Sequence, residues 1–302
     1  MSKMSVNLAG VTLKNPVMTA SGTFGSGAEY SEFVDLNNLG AVVTKGVANV
    51  PWSGNPTPRV AEVYGGMMNA IGLQNPGVEV IMERELPWLA QFDTEIIANV
   101  AGATEEDYVE VVQKLNSSKV VKAYELNISC PNVKHGGIAF GQDPKAVEAI
   151  TKAVKAVAKQ PVIMKLSPNV TDITEMAKAA EAGGADALSL INTLTGMQID
   201  VERQKFVLAN KTGGLSGPAI KPVAVRMVYQ VANAVKVPII GMGGIANASD
   251  AMEFILAGAT AVSVGTANFN NPNTTIEVVE GIEDYMRRHN VEDINSLIGL
   301  VK

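Results

Sequence analysis

The alternation of short apolar runs with longer helix-patterned segments constrains the fold of this chain more than any other feature. Eight runs are predicted as strands, because each is short, apolar and bounded by Gly, Pro, Asn or Ser. Several are almost continuously apolar, as expected of strands buried on both faces. The predicted strands cover residues 17–20, 41–45, 96–100, 124–128, 162–166, 187–191, 239–242 and 261–264.

The segments between these runs carry helix signals. Thr104 opens a capping-box-like start with acidic residues in the first turn, and Asp143-Pro144 supplies an N-cap followed by Pro at the first helical position. Gly183-Gly184 is a typical C-terminal stop. The predicted helices cover residues 104–115, 146–157, 171–182, 222–235, 249–257 and 276–289.

Eight strand units with helices between them predict a single (β/α)8 TIM barrel, a fold that needs about 250 residues. We expect residues 1–302 to form one domain, with a short hairpin at 6–13 before the barrel. A doubly wound open sheet is the alternative that periodicity leaves open. Two long insertions, 51–76 and 192–218, follow strand C-terminal ends, where barrel enzymes build their active sites.

Composition and charge exclude several function classes. The net charge is −6 and Lys and Arg form no long run, which argues against a nucleic-acid or anionic-membrane partner. One cysteine, Cys130, and two histidines are too few for an iron–sulfur cluster or a Cys/His zinc site, so we expect no metal. Apolar runs well short of ~18 residues and the lack of a targeting signal lead us to expect a cytoplasmic protein.

Polar or glycine residues follow one predicted strand after another. Polar or glycine residues at the end of a single strand more often form a turn than a ligand site. Lys165 is more informative, because it interrupts the apolar run Pro-Val-Ile-Met-Lys-Leu and a Lys in a buried strand needs a partner or a function. Since the strand ends of a barrel meet on one face, we expect these groups to converge there on one site.

The last two strand ends are glycine turns of the kind that bind phosphate. Gly243-Gly244 and Gly265-Thr266 let the backbone approach an anion, and a predicted helix follows the first turn. Residues 241–246 also match the Gly-x-Gly-x-x-Ala dinucleotide fingerprint, but the next strand lacks the acidic residue that would bind a ribose. We therefore expect a flavin phosphate rather than a dinucleotide at these turns.

Cys130 follows the fourth predicted strand, within the run Asn-Ile-Ser-Cys-Pro-Asn. A lone cysteine is more often a small buried apolar residue than a catalytic one. This one stands in a loop with Pro and amide neighbours, where a tuned thiol can act as a general base near neutral pH. We expect Cys130 to be the catalytic base.

These residues belong to a set of motifs by which the sequence resembles the family 1 dihydroorotate dehydrogenases over essentially its whole length. The set is specific, because the order, the spacing and the expected strand positions of its motifs all agree. The segments are NPVMTASGTFG at 15–25, TKG at 44–46, NAIGLQNPG at 69–77, ELNISCPN at 125–132, KLSP at 165–168, INT at 191–193, GGLSGP at 213–218, GMGG at 241–244 and VGT at 264–266.

The resemblance implies one FMN per chain and the oxidation of (S)-dihydroorotate to orotate in pyrimidine (UMP) biosynthesis. Cys130 would remove a proton from the substrate while a hydride passes to the flavin. The positions implied for FMN are Ser21, Lys45, Gly46, Asn99, Asn127, Lys165, Ile191, Gly217, Gly243, Gly244, Gly265 and Thr266. The positions implied for the substrate are Lys45, Asn69, Ala70, Ile71, Gly72, Leu73, Asn127, Asn132, Asn192 and Thr193.

Two stretches, 25–30 and 195–200, resemble the NAD-linked subgroup of that family. In this subgroup a second, electron-transfer subunit carries FAD and a [2Fe–2S] cluster, which implies a heterotetramer of two catalytic and two electron-transfer chains. Three alternatives stay open: a fumarate-linked dihydroorotate dehydrogenase that acts without a partner, a flavin barrel acting on another pyrimidine, and a barrel that binds a phosphorylated ligand without chemistry.

Overall fold

A closed barrel of eight parallel strands forms the centre of the computed structural model, which describes residues 3–128 and 140–301. The (β/α)8 prediction is therefore confirmed, and the open-sheet alternative is wrong. The barrel strands are β1 (Val17–Thr19), β2 (Ala41–Val43), β3 (Glu95–Val100), β4 (Val121–Asn127), β5 (Val162–Lys165), β6 (Ala187–Leu190), β7 (Ile239–Met242) and β8 (Ala261–Val264).

Pairing of the last strand with the first closes the barrel. Strand β8 runs parallel to β1, with Val262 opposite Val17 and Val264 opposite Thr19. The short strands are buried along their length, as a sheet covered on both faces requires. Strand β4 begins at Val121, three residues before the predicted start at 124. The prediction starts too late because the exposed Lys122 interrupts the apolar pattern of the strand.

Helices cover the outer face of the barrel, and each of the six predicted helices is present with ends shifted by a few residues. A further helical segment over 78–89, which combines short α turns with a π turn, was missed because Pro87 lies inside it. The predicted helices lie at Glu105–Leu115, Pro144–Lys155, Ile173–Ala182, Lys221–Ala232, Ala248–Ala257 and Thr274–Arg288.

The helix Glu105–Leu115 illustrates how local sequence builds the outer layer. Thr104 and Asp107 form a complete capping box, which satisfies backbone donors at the helix start. Tyr108, Val111 and Leu115 recur at helical spacing and are buried against the barrel. A fully buried aliphatic side chain of this kind contributes about 1.5–3 kcal/mol.

The two insertions pair with each other above the barrel. Gly66–Asn69 of the first insertion pairs with Thr212–Ser216 of the second in a four-stranded antiparallel sheet, completed by Val60–Val63 and Leu194–Met197. The predicted N-terminal hairpin is also present. None of the helices within the described ranges is long and apolar enough to span a membrane.

Candidate active site

A large pocket opens where the eight barrel strands end. It encloses about 1040 Å³, counting the part that is continuous with solvent, and residues at or just after the C-terminal end of every barrel strand line it. The insertion sheet forms another wall. The predicted site residues that line the pocket are Ser21, Lys45, Gly46, Asn69, Ile71, Gly72, Leu73, Asn99, Asn127, Lys165, Ile191, Asn192, Thr193, Gly243, Gly244, Gly265 and Thr266.

Four predicted positions are not among the lining residues. Ala70 is fully buried beneath the insertion sheet. Gly217 lies behind the wall, where a methyl group added to it would come within 2.6 Å of a backbone carbon, and the adjacent Ser216 lines the pocket instead. Cys130 and Asn132 lie outside the described residues.

A buried charged cluster forms the floor of the pocket. Lys165 at the end of β5 lies with its Nζ 3.6 Å from Oε1 of Glu125 on β4 and 3.4 Å from Oγ of Ser21. The same Glu125 oxygen accepts a hydrogen bond of 2.6 Å from Nδ2 of Asn99. The side chains of Lys165 and Glu125 are 7% and 1% exposed, so each charge depends on the other for its stabilisation.

Two buried polar atoms at the pocket have no hydrogen-bond partner in the part of the chain that the structure describes. They are Oδ1 of Asn99 and Oγ of Ser263. The Asn99 oxygen faces Gly46 so closely that a methyl group there would lie 2.7 Å from it. Because buried polar atoms in folded proteins are almost always paired, these atoms fit a bound polar ligand.

Amide groups from β4 and the segment after β6 meet at another side of the pocket. Nδ2 of Asn192 donates to Oδ1 of Asn127 at 3.1 Å, and Oδ1 of Asn192 accepts from the backbone N–H of Thr193 at 2.8 Å. The Tyr108 hydroxyl donates to the Asn127 carbonyl at 2.8 Å and so fixes the end of β4. These contacts orient amide groups of the kind that bind a planar polar ring.

The glycine turn after β7 is held from behind by an ion pair. Oδ2 of Asp250 accepts from the backbone N–H of Ala246 at 2.9 Å, and Oδ1 accepts from Nζ of Lys221 at 2.6 Å. Hydrogen bonds to Asp250 and Glu253 raise the pKa of Lys221. The carboxylates therefore neutralise this lysine, and backbone N–H groups are left as anion-binding groups at this end of the pocket.

Sequence reasoning missed several residues of the site. Ser263 and Met242 were hidden because each lies inside an apolar strand run. Glu125 carried the same signal as Lys165, since it interrupts the run Ala-Tyr-Glu-Leu of a buried strand, but its role was not recognised. The lining residues outside the predicted set are Ala20, Gly22, Thr23, Ser216, Ile220, Met242 and Ser263.

A family model described as dihydroorotate dehydrogenase matches residues 3–286. The chain belongs to the dihydroorotate dehydrogenase family. Among curated relatives, the "Dihydroorotate dehydrogenase B (NAD(+)), catalytic subunit" of Lachnoclostridium phytofermentans is 71% identical and is matched over 99% of both chains. The protein of the same name from Alkaliphilus oremlandii is 68% identical over 98% of both chains.

A solved dihydroorotate dehydrogenase has the same fold. The Eimeria tenella enzyme, crystallised with ferulenol, superposes with a TM-score of 0.82 over 99% of this chain and 88% of its own. At 23% identity, this similarity concerns the fold alone. Membership in the dihydroorotate dehydrogenase family implies a flavin cofactor, and the unpaired atoms and glycine turns of the pocket fit such a group.

Proposed function

We propose that this chain is the catalytic subunit of an NAD-linked dihydroorotate dehydrogenase, which oxidises (S)-dihydroorotate to orotate in de novo UMP biosynthesis with FMN as its bound flavin. The observation that carries the proposal is the convergence of the polar strand-end residues on one pocket. The names of relatives matched over nearly the whole chain support the same activity.

The flavin, when bound, supplies the hydride acceptor for C6 of dihydroorotate. The residues that would hold it are the strand-end set around Ser21, Asn99 and Lys165, with the glycine turns after β7 and β8 at its phosphate. Lys165 presents a positive charge to the pocket floor. This charge favours the reduced flavin, which carries more negative charge than the oxidised form.

The substrate ring would lie between the amides and the insertion sheet. Asn127 and Asn192 are already oriented by their mutual hydrogen bond, and Lys45 adds a positive charge that suits the substrate carboxylate. Holding the ring in one orientation aligns both C–H bonds that must break. Cys130 would then take the proton from C5 as general base.

Electrons would leave the chain through a partner. We propose an electron-transfer subunit carrying FAD and a [2Fe–2S] cluster, in a heterotetramer of two catalytic and two electron-transfer chains in the cytoplasm. The name "catalytic subunit" given to the relatives supports a separate partner, and its "NAD(+)" favours this route over the fumarate-linked alternative. With a single cysteine, the chain cannot ligate the cluster itself.

Anaerobic stopped-flow reduction of the FMN-loaded chain by dihydroorotate tests the activity and the base together. Bleaching of the flavin absorbance is expected in the unaltered protein. Cys130→Ala should retain FMN but slow bleaching by roughly two to four decades, the usual contribution of a general base. Cys130→Ser, a weaker base at neutral pH, is the matched control and should fall between the two. Equal bleaching rates in all three proteins would exclude Cys130 as the base.

The acceptor is tested by adding NAD or fumarate to the reduced protein. The chain alone should reoxidise slowly with either acceptor, whereas co-expression with its electron-transfer subunit should restore NAD-dependent turnover. Rapid fumarate turnover by the chain alone would favour the fumarate-linked alternative. A colourless protein that binds no flavin would contradict the proposed function as a whole.

A further inference from the structure

Glu125 is a buried, charged residue of the pocket floor that the mechanism above does not use. Its side chain is 1% exposed and lies on β4, two residues before Asn127. Carboxylates are almost never fully buried unless they are paired. Residues two apart on a strand point to the same face, so Glu125 lies one layer below the amide of Asn127 inside the barrel.

Two pocket residues depend on this one carboxylate. Its Oε1 is 2.6 Å from Nδ2 of Asn99 and 3.6 Å from Nζ of Lys165. The first contact is a hydrogen bond. The second is too long for one and acts through charge. Because both side chains are buried, the attraction between their opposite charges is stronger than it would be in water.

The carboxylate also determines which way the Asn99 amide points. An ionised carboxylate only accepts hydrogen bonds, so the NH2 group of Asn99 must face Glu125. The carbonyl Oδ1 is then directed away from Glu125, beside Gly46, where it has no partner within the described ranges. Asn99 therefore presents an acceptor, not a donor, to the pocket, and this acceptor suits a ligand edge that carries an N–H group.

We infer that Glu125 is a positioning residue that sets the reduction potential of the bound flavin through Lys165 and Asn99. This inference rests on the proposed function, because it requires a flavin in the pocket. Lys165 favours the reduced flavin by its positive charge, and the negative charge of Glu125 offsets part of that effect. Glu125 thus keeps the flavin able to pass its electrons on after the substrate has reduced it.

Glu125→Gln tests the inference, because it removes the charge and keeps an oxygen acceptor in nearly the same volume. The FMN midpoint potential of the loaded chain is measured by spectroelectrochemical titration at pH 6, 7 and 8. A unit charge within about 10 Å, at an effective dielectric constant of about 20, changes an equilibrium on the order of tenfold. The variant should therefore favour reduced flavin about tenfold more, a rise of about 30 mV for a two-electron couple.

Asp186→Asn is the matched control. Asp186 is paired with Lys155 at 2.6 Å, does not line the pocket and lies at the opposite end of a barrel strand from it. Its loss should leave the FMN potential unchanged. If Glu125 had a merely structural role, Glu125→Gln would weaken the binding of oxidised and reduced FMN equally and leave the midpoint potential unchanged. A midpoint potential of Glu125→Gln equal to that of the unaltered protein at all three pH values therefore overturns the inference.

If Glu125→Gln does not fold, a measurement on the unaltered protein tests the Asn99 part of the inference. FMN methylated at N3 lacks the N–H group that the Asn99 acceptor requires and should bind at least about tenfold more weakly than FMN. Equal affinity for the two flavins would overturn the assigned Asn99 orientation. Failure of the proposed function is recognised separately, because the unaltered protein would then bind no FMN or would not be reduced by dihydroorotate.

Discussion

Gly244 offers the sharpest test of the phosphate end of the pocket. Its φ is +79°, and a methyl group there would lie 2.8 Å from the carbonyl oxygen of Gly217 and 2.8 Å from Cβ of Lys221. A left-handed conformation costs an alanine about 1–2 kcal/mol, even without the two contacts. In Gly244→Ala the empty turn can relax to a negative φ, and phosphate binding must then restore the strained conformation.

The expected result follows from that free energy. If binding must supply about 1–2 kcal/mol, the Kd for FMN rises about 5- to 30-fold. Riboflavin lacks the phosphate and does not require the turn, so its Kd should change by less than about twofold. Both values are obtained by titrating the apoprotein with each flavin and following the quenching of flavin fluorescence.

Gly10→Ala is the matched control for backbone strain. Gly10 has a φ of +92° in the N-terminal hairpin turn, and no atom lies within 4 Å of a methyl group placed there. It should lower thermal stability through the same left-handed penalty while the affinity for FMN stays unchanged. Equal weakening of FMN and riboflavin by Gly244→Ala, or no weakening of either, would refute the assignment of this turn to the phosphate.

Two further predictions concern stability. Lys165→Met leaves the Glu125 carboxylate buried without its counter-charge and should lower the free energy of unfolding by about 3–5 kcal/mol, or the Tm of the apoprotein by roughly 6–10 °C. The double variant Lys165→Met/Glu125→Gln should recover most of this stability. A Lys165→Met protein with the same Tm as the unaltered protein would contradict the pairing. Hydrogen bonds from Asn295 and the nearby Lys3 ammonium hold the pKa of Asp293 at about 2, below 3.8. Because this pKa is lower in the folded protein, the Asp293 carboxylate stabilises the fold above pH 3.8, and this stabilisation is lost as the pH falls through about 2. In thermal melts, the difference in Tm between the unaltered protein and Asp293→Asn should therefore shrink between pH 4 and pH 2. A constant difference in Tm would contradict this prediction.

The barrel and most of the pocket wall could be predicted because their signals are local. The glycine turn at Gly243-Gly244 and the lysine that ends β5 can be recognised from a few neighbouring residues, and the strand order of a parallel barrel then brings them together. Strand bounds were less exact. Strand β4 was shortened in the prediction because one exposed lysine, Lys122, interrupts its pattern.

The insertion sheet could not be predicted for the opposite reason. The strands at Gly66–Asn69 and Thr212–Ser216 contain glycine and lack a clear alternation, and they pair across more than a hundred residues of sequence. Their strand character comes from the partner rather than from intrinsic preference. The sequence identified both segments as functional insertions, but not that they form one wall together.

The pocket floor depends on strand register, which local patterns do not contain. Asn99 meets Glu125 because β3 and β4 pair with those two residues opposite each other, after a register irregularity between Ile96 and Ile97. A shift of one residue would turn either side chain out of the barrel. The sequence shows that the two polar residues exist, and only the folded sheet shows that they touch.

The buried pair of Lys165 and Glu125 is the point at which stability and function diverge. Two apolar residues of similar volume would stabilise the barrel core as well or better, because the attraction within a buried ion pair often does not offset the desolvation of its charges. Both residues also interrupt apolar strand runs, so neither the local pattern nor the packing explains them. When two residues in contact break the apolar pattern of their strands without stabilising the fold, their benefit is expected to be functional. Here both side chains are at a pocket floor, and the most direct gain is control of charge beneath a bound flavin.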